Sequence, residues 1–114
     1  MLADITTVSR IYLVCGWTDM RKSIDGLCDI VRNELNLNPD SSSLFLFCGK
    51  RRDRIKALLC EPDGYVLIYK RLSVKGGYQW PRNKTEARRI TWKEFDWLMS
   101  GIDINQPKAF RTSL

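Results

Sequence analysis

Five of the seven residues from 50 to 56 are basic, in the run Gly49-Lys-Arg-Arg-Asp-Arg-Ile-Lys56. Guanidinium groups fork onto phosphate oxygens and lysines add point charge, so the chemistry open to Lys50, Arg51, Arg52, Arg54 and Lys56 is phosphate recognition. A hairpin tip kept soluble and unpaired by its charge needs the same residue types. Lys70 and Arg71, with Lys75 beyond them, continue the basic character on a neighbouring strand-like segment. A smaller cluster, Asp19-Met-Arg-Lys22, stands where a helix is expected to start. Cations in a first turn oppose the helix dipole, so Arg21 and Lys22 either serve an anionic partner or are held locally, Arg21 by Asp25 at i,i+4. All of these basic residues except Lys75, nine in number, are the expected nucleic-acid-binding set.

Other chemistries have less to work with. The chain contains no histidine, which removes Ser-His and Cys-His nucleophile pairs and imidazole bases or ligands. It also lacks a G-x-x-x-x-G-K-[ST] loop. Asp25 and Asp29 share a helix face and Asp53 sits among arginines, yet two-metal phosphoryl chemistry needs several convergent acids and these carry no distinctive spacing. No catalytic residue, metal or cofactor is therefore expected. Cys15, Cys28, Cys48 and Cys60 form no C-x-x-C pair and each borders an apolar run, as buried free thiols do. Tyr65, Tyr69, Tyr78 and Trp80 lie near the basic region, where they can stack on unpaired bases or pack as cross-strand pairs. Trp92, Phe95 and Trp97 belong to packing or to a partner interface.

The elements that must position these residues follow from apolar periodicity. Residues 11–15 read as a buried strand ended by Gly16. Thr18 or Asp19 can cap a helix over about 19–36, with Met20, Ile24, Leu27, Cys28, Val31 and Leu35 on one stripe and Asn36, Asn38 and Pro39 as its stop. Gly26 inside it marks a close packing contact. Strands are expected at 44–48, 54–60 and 65–72, joined by the basic turn and by Pro62-Asp-Gly64, with a fourth at 78–80 after Gly76-Gly77. Thr91-Trp-Lys-Glu94 has the form of a capping box and Gly101 suits the end of the helix it opens. The predicted architecture is α+β: a small antiparallel β-meander with one long N-terminal helix and one short C-terminal helix packed on it.

At 114 residues the chain holds one domain, with a core at about 8–103 and a tail, 104–114, expected to be mobile. With 44% hydrophobic and 28% charged residues it is composed as a globular protein. No apolar run approaches the roughly 18 residues of a membrane span, so it reads as cytoplasmic. The net charge of +6 is unevenly placed: residues 50–89 hold twelve basic residues against four acids, and the remainder seven against nine. Such asymmetry points to an anionic partner, nucleic acid first.

Several motifs occur in one order: Gly16-x-Thr-Asp-Met-Arg-Lys-Ser-x-Asp-Gly-Leu27, then Leu44-Phe45 with Phe47, then Gly49-x-Arg-Arg-Asp-Arg-Ile-Lys56. Asp63-Gly-Tyr-Val-Leu-x-Tyr-Lys-Arg-Leu72, Trp80-Pro81, Trp97-Leu98 and Gly101-Ile-Asp103 complete the pattern. Over about residues 8–103 the chain resembles the small accessory protein, often called TnpB or the second open-reading-frame protein, of the bacterial insertion sequences numbered sixty-six. It departs from the usual pattern at Leu59-Cys60-Glu61-Pro62 and in a slightly longer 73–78 segment. The resemblance implies a role in transposition beside a separate, larger transposase that carries the catalytic acids. It transfers no catalytic residue to this chain. Two readings remain open: DNA binding through the basic face, with element ends as the expected target, or a protein adaptor that docks on the transposase or another accessory protein.

Overall fold

Strand β1 (Arg10–Val14) forms where the first apolar run predicts it, but its neighbours differ from a simple meander. A computed structural model describes residues 3–40, 42–83 and 85–105. After β1 come helix α1 (Ile24–Asp29, continued as a wider π-type turn over Ile30–Glu34), β2 (Ser43–Cys48), β3 (Arg54–Glu61), β4 (Gly64–Arg71), β5 (Ala87–Ile90) and helix α2 (Trp92–Met99). The sheet order is β4-β3-β2-β1-β5. β2, β3 and β4 form the expected antiparallel meander, in register at Phe45↔Leu58 and Leu58↔Leu67. β1, however, pairs with β2 in parallel, at Tyr12↔Phe45. The sheet is therefore mixed, because a helix joins β1 to β2 and such a crossover returns the chain in the same direction.

Alternate residues on each strand build two cores. Val14, Phe45, Phe47, Leu58 and Cys60 face α1, whose Leu27, Cys28, Ile30 and Val31 cover them. Ile11, Leu13, Leu44, Leu46, Ile55 and Leu59 face the other way, under Leu98 of α2 and under Tyr78, Trp80 and Ile104. All six residues of β2 are buried, as its continuous apolar run requires of a strand covered on both faces. Phe45 also stacks on Tyr12, with centroids 5.0 Å apart. Each large side chain removed from water contributes about 1.5–3 kcal/mol, so β2 anchors both layers.

Three expected elements change. The helix predicted from residue 19 starts at Ile24, because the Asp19 carboxylate accepts the Arg21 N–H at 2.9 Å and closes a local turn instead. Ser23 is then extended, so α1 is short and central, and not a long N-terminal helix. At its far end Asn36 adopts a left-handed φ of 54°, the stop the sequence announces. Residues 78–80 are not a strand: Tyr78 and Trp80 are buried in irregular chain, and the Trp80 indole N–H donates to the Val14 carbonyl at 2.8 Å. The fifth strand is Ala87–Ile90, antiparallel to β1, an edge strand whose two arginines hide its periodicity and guard it against stray pairing.

Helix α2 matches expectation closely. Thr91 Oγ1 accepts the Glu94 N–H at 3.1 Å and Glu94 Oε1 accepts the Thr91 N–H at 2.9 Å. Gly101, at φ +78°, closes it, with Ile102 N–H donating to the Trp97 carbonyl and Gly101 N–H to the Leu98 carbonyl. Ile104, the first residue of the expected tail, is buried; residues 106–114 lie outside the described residues.

Candidate nucleic-acid interface

One end of the sheet gathers three loops. β1, β2 and β4 finish there and β3 and β5 begin there, so residues 15–23, 49–53, 72–83 and 85–86 are brought side by side. Backbone hydrogen bonds tie them together. Thr18 N–H donates to the Cys48 carbonyl at 2.8 Å, Leu72 N–H to Asp53 at 2.8 Å, Tyr78 N–H to Arg52 at 2.8 Å and Gly16 N–H to Pro81 at 2.9 Å. The close fit requires Gly49, where a Cβ would stand 2.8 Å from Met20 Cγ. Arg52 takes a left-handed φ of 62°, a conformation that non-glycine residues adopt only when the surroundings over-determine it. The basic turn is a fixed platform.

Its charges are poorly compensated. Lys50 and Arg51 are exposed, and the Lys50 Nζ lies 5.5 Å from the centroid of the Trp17 ring. Trp17, Met20, Lys50, Arg51 and Arg54 line a cleft of about 340 Å³. Arg52 lies on the other side of the turn, in a second cleft of about 220 Å³ with Gly76, Gly77 and Gln79. Arg54 stands opposite Arg71 in the β3–β4 register, a cross-strand pairing of like charges that destabilises a sheet. Asp53 offers only partial relief, with its Oδ1 3.6 Å from Arg54 Nε and no hydrogen bond to that buried oxygen. Arg21–Asp19, at 2.8 Å, is a closer ion pair than this one.

The remaining members of the nine are placed differently. Arg21 pairs with Asp19 at 2.8 Å, and not with Asp25 as the helical spacing offered. Hydrogen bonds from the Arg21 side chain and backbone hold the Asp19 carboxyl down at about 2. Neither Arg21 nor Lys22 sits in a helical first turn, so the dipole argument does not apply to them. The Lys22 side chain is exposed, and its stem packs against Gly26, where a Cβ would lie 3.3 Å from Lys22 Cβ. Lys56 is only 9% exposed; its Nζ donates to the Lys22 carbonyl at 2.6 Å and lies 5.3 Å from the Tyr69 ring. It works as a strut beneath the cluster. Lys70 pairs with Ile55 and points to the opposite face from Arg54 and Arg71. Lys75 lies in the loop after β4 and not on the strand.

Trp17 was hidden in the sequence because it belongs to no apolar period. Of the four aromatics singled out, Tyr78 and Trp80 are buried, while Tyr65 and Tyr69 are exposed. Trp92 is 39% exposed and meets Phe95 edge-on at 5.1 Å. All four cysteines are buried and free. Burial pushes the Cys48 and Cys60 thiols up to about 12, the former against the pull of Arg52 and Arg82, so neither is a ready nucleophile. Among the described residues no group of three or more His, Cys, Asp or Glu is placed to hold a metal ion. No helix among them is long and apolar enough to cross a membrane.

Comparison with known proteins agrees with the motif order. The family profile described as "IS66 Orf2 like protein" matches residues 9–109. Two relatives from Sinorhizobium fredii (strain NBRC 101917 / NGR234) align over 99 residues each. "Uncharacterized protein y4hO" is 33% identical, across 87% of this chain and 85% of the relative. "Uncharacterized protein y4jC" is 29% identical, across 87% and 84%. No solved structure matches the chain.

Proposed function

The chain belongs to the IS66 Orf2-like family, whose membership implies an accessory role in transposition, and from that premise we propose that it binds DNA through the basic end of its sheet without catalysing strand chemistry. The observation that carries this reading is the Arg54↔Arg71 pairing beside Lys50, Arg51 and Arg52 on a hydrogen-bonded platform. Like charges fixed side by side cost stability unless an anion neutralises them. A phosphate backbone does so by displacing counterions, which gives affinity and orientation while leaving sequence unread. Arg21 and Lys22 extend the face, Lys56 supports it from below, and Lys70 extends it around the edge of β4.

Replacing Arg51 and Arg52 by Ala tests the reading. Anisotropy of a labelled duplex across a salt series should show weaker binding and a log K against log salt slope reduced by about two, with an unchanged melting temperature. A large loss of stability with an unchanged slope would make the two arginines structural. A second reading, docking on the transposase, is favoured by one observation: Trp92 is left 39% exposed on α2, and buried aromatics anchor protein interfaces. Trp92→Ala would then abolish capture of purified transposase in nuclease-treated solution and leave DNA affinity untouched.

A further inference from the structure

Trp17 is 55% exposed and belongs to neither hydrophobic core. A tryptophan ordinarily dominates the packing where it sits, so one left in water on a fixed loop forgoes that contribution. The loop is indeed fixed. Gly16 at φ +80° lies with its added Cβ position 3.1 Å from the Asn83 carbonyl oxygen, and Thr18 is bonded to the end of β2. The ring is thus presented on rigid backbone, a preorganised contact in search of a flat partner.

The surroundings of the ring narrow the chemistry of that partner. Lys50 lies against the ring, Lys50, Arg51 and Arg54 outnumber the acids Asp19 and Asp53 in the lining of the same cleft, and Met20 gives it an apolar wall. A ligand that satisfies all of these is planar, has a π face and carries an anionic group beside it. Beyond Arg54 the stripe continues through Arg71 to Tyr69, which is 50% exposed on the same face of the sheet. An arginine stripe flanked by exposed rings is how sequence-tolerant proteins track a single strand, with phosphates on the charges and bases on the rings. An intact duplex keeps its bases stacked inside and offers Trp17 only phosphate.

We propose that the Trp17 cleft takes an unpaired nucleobase, so that the basic end binds single-stranded DNA in preference to duplex. This rests on the reading that the basic end binds DNA, and it names the form of DNA. The test compares full-length wild type, Trp17→Ala and Trp17→Phe in anisotropy titrations with oligothymidine and with a duplex, at one salt concentration. Melting curves show whether the variants are folded. Loss of a base-stacking ring costs on the order of tenfold in affinity. Trp17→Ala should therefore lose about that much for oligothymidine and less than about twofold for duplex, with Trp17→Phe close to wild type. Wild type that binds duplex as tightly as oligothymidine, or Trp17→Ala that loses both alike or neither, overturns the proposal and leaves the DNA-binding reading standing. Wild type that binds neither at low salt overturns both.

Discussion

The two ends of the sheet are made from the same strands and settle their polar groups in opposite ways. At the β3–β4 hairpin end, polar groups are satisfied close by. Asp4 accepts from Thr6, Arg10 donates to Ser43, Arg89 donates to the Ser9 carbonyl, and Pro62-Asp63 turns the chain in two residues. The acids Asp4, Glu61 and Asp63 rim a cleft there, which disfavours an anionic ligand in that cleft. Backbone groups from distant segments satisfy one another at both ends, but at the other end Lys50, Arg51, Arg52 and Arg71 make no ion pair among the described residues. Main-chain bonds tie the frame together, and these side chains are left without an acid partner among the described residues. A surface that only needed solubility would not require so constrained a frame.

The largest effect should come from reversing charge on the two ends. Arg51→Glu with Arg71→Glu should weaken duplex binding by on the order of a hundredfold at low salt, since each change removes one counterion-releasing contact and adds a repulsive one. Glu61→Lys with Asp63→Lys, at the hairpin end, should leave binding undiminished. A gain from the hairpin-end pair as large as the loss from the other pair, read by anisotropy, would mean that net charge alone matters and the ends are equivalent.

Glycines sharpen the same contrast. Gly49→Ala drives a methyl to within 2.8 Å of Met20 Cγ, and overpacking of this kind costs about 1–3 kcal/mol, so both the melting temperature and DNA affinity should fall. Gly64, at the hairpin, has nothing within 4 Å of its Cβ position; Gly64→Ala should be neutral or slightly stabilising. Thr91→Ala, which removes the cap of α2 at the hairpin end, should cost about 1 kcal/mol in a denaturation curve with no change in affinity.

The smallest effect concerns Asp19, held at about 2 by Arg21. A depressed carboxyl stabilises the fold above its ordinary value of 3.8 and loses that contribution as pH falls through about 2. Asp19→Asn should lower the melting temperature slightly at pH 7, and the difference from wild type should vanish near pH 2. Because the asparagine can still close the turn while releasing Arg21, affinity for DNA should rise about twofold. A fall in affinity would show that the pair orients Arg21 for binding.

How much of this was legible in the sequence depends on the range of the interactions. The three meander strands, the two-residue hairpin and the capping box are local and declared themselves through alternation and turn chemistry. The start of α1 did not, because Asp19 could cap a helix or close a turn, and the extended backbone at Ser23 goes with the turn. β5 was missed because two of its four residues are arginines. The parallel β1–β2 pair was available from the intervening helix, but a run of later antiparallel strands obscured it. For the site, the basic turn was visible as composition. The burial of Lys56, the opposite facing of Lys70 and the exposure of Trp17 depend on tertiary contacts that no spacing records.

The most direct test is a titration of the labelled protein with a short DNA duplex, monitored by backbone amide chemical shifts. The account predicts that perturbed amides fall in residues 16–23, 49–54 and 70–78, with the 61–64 hairpin and residues 4–9 silent. Shifts centred on the hairpin end, or spread evenly over both ends, would contradict it.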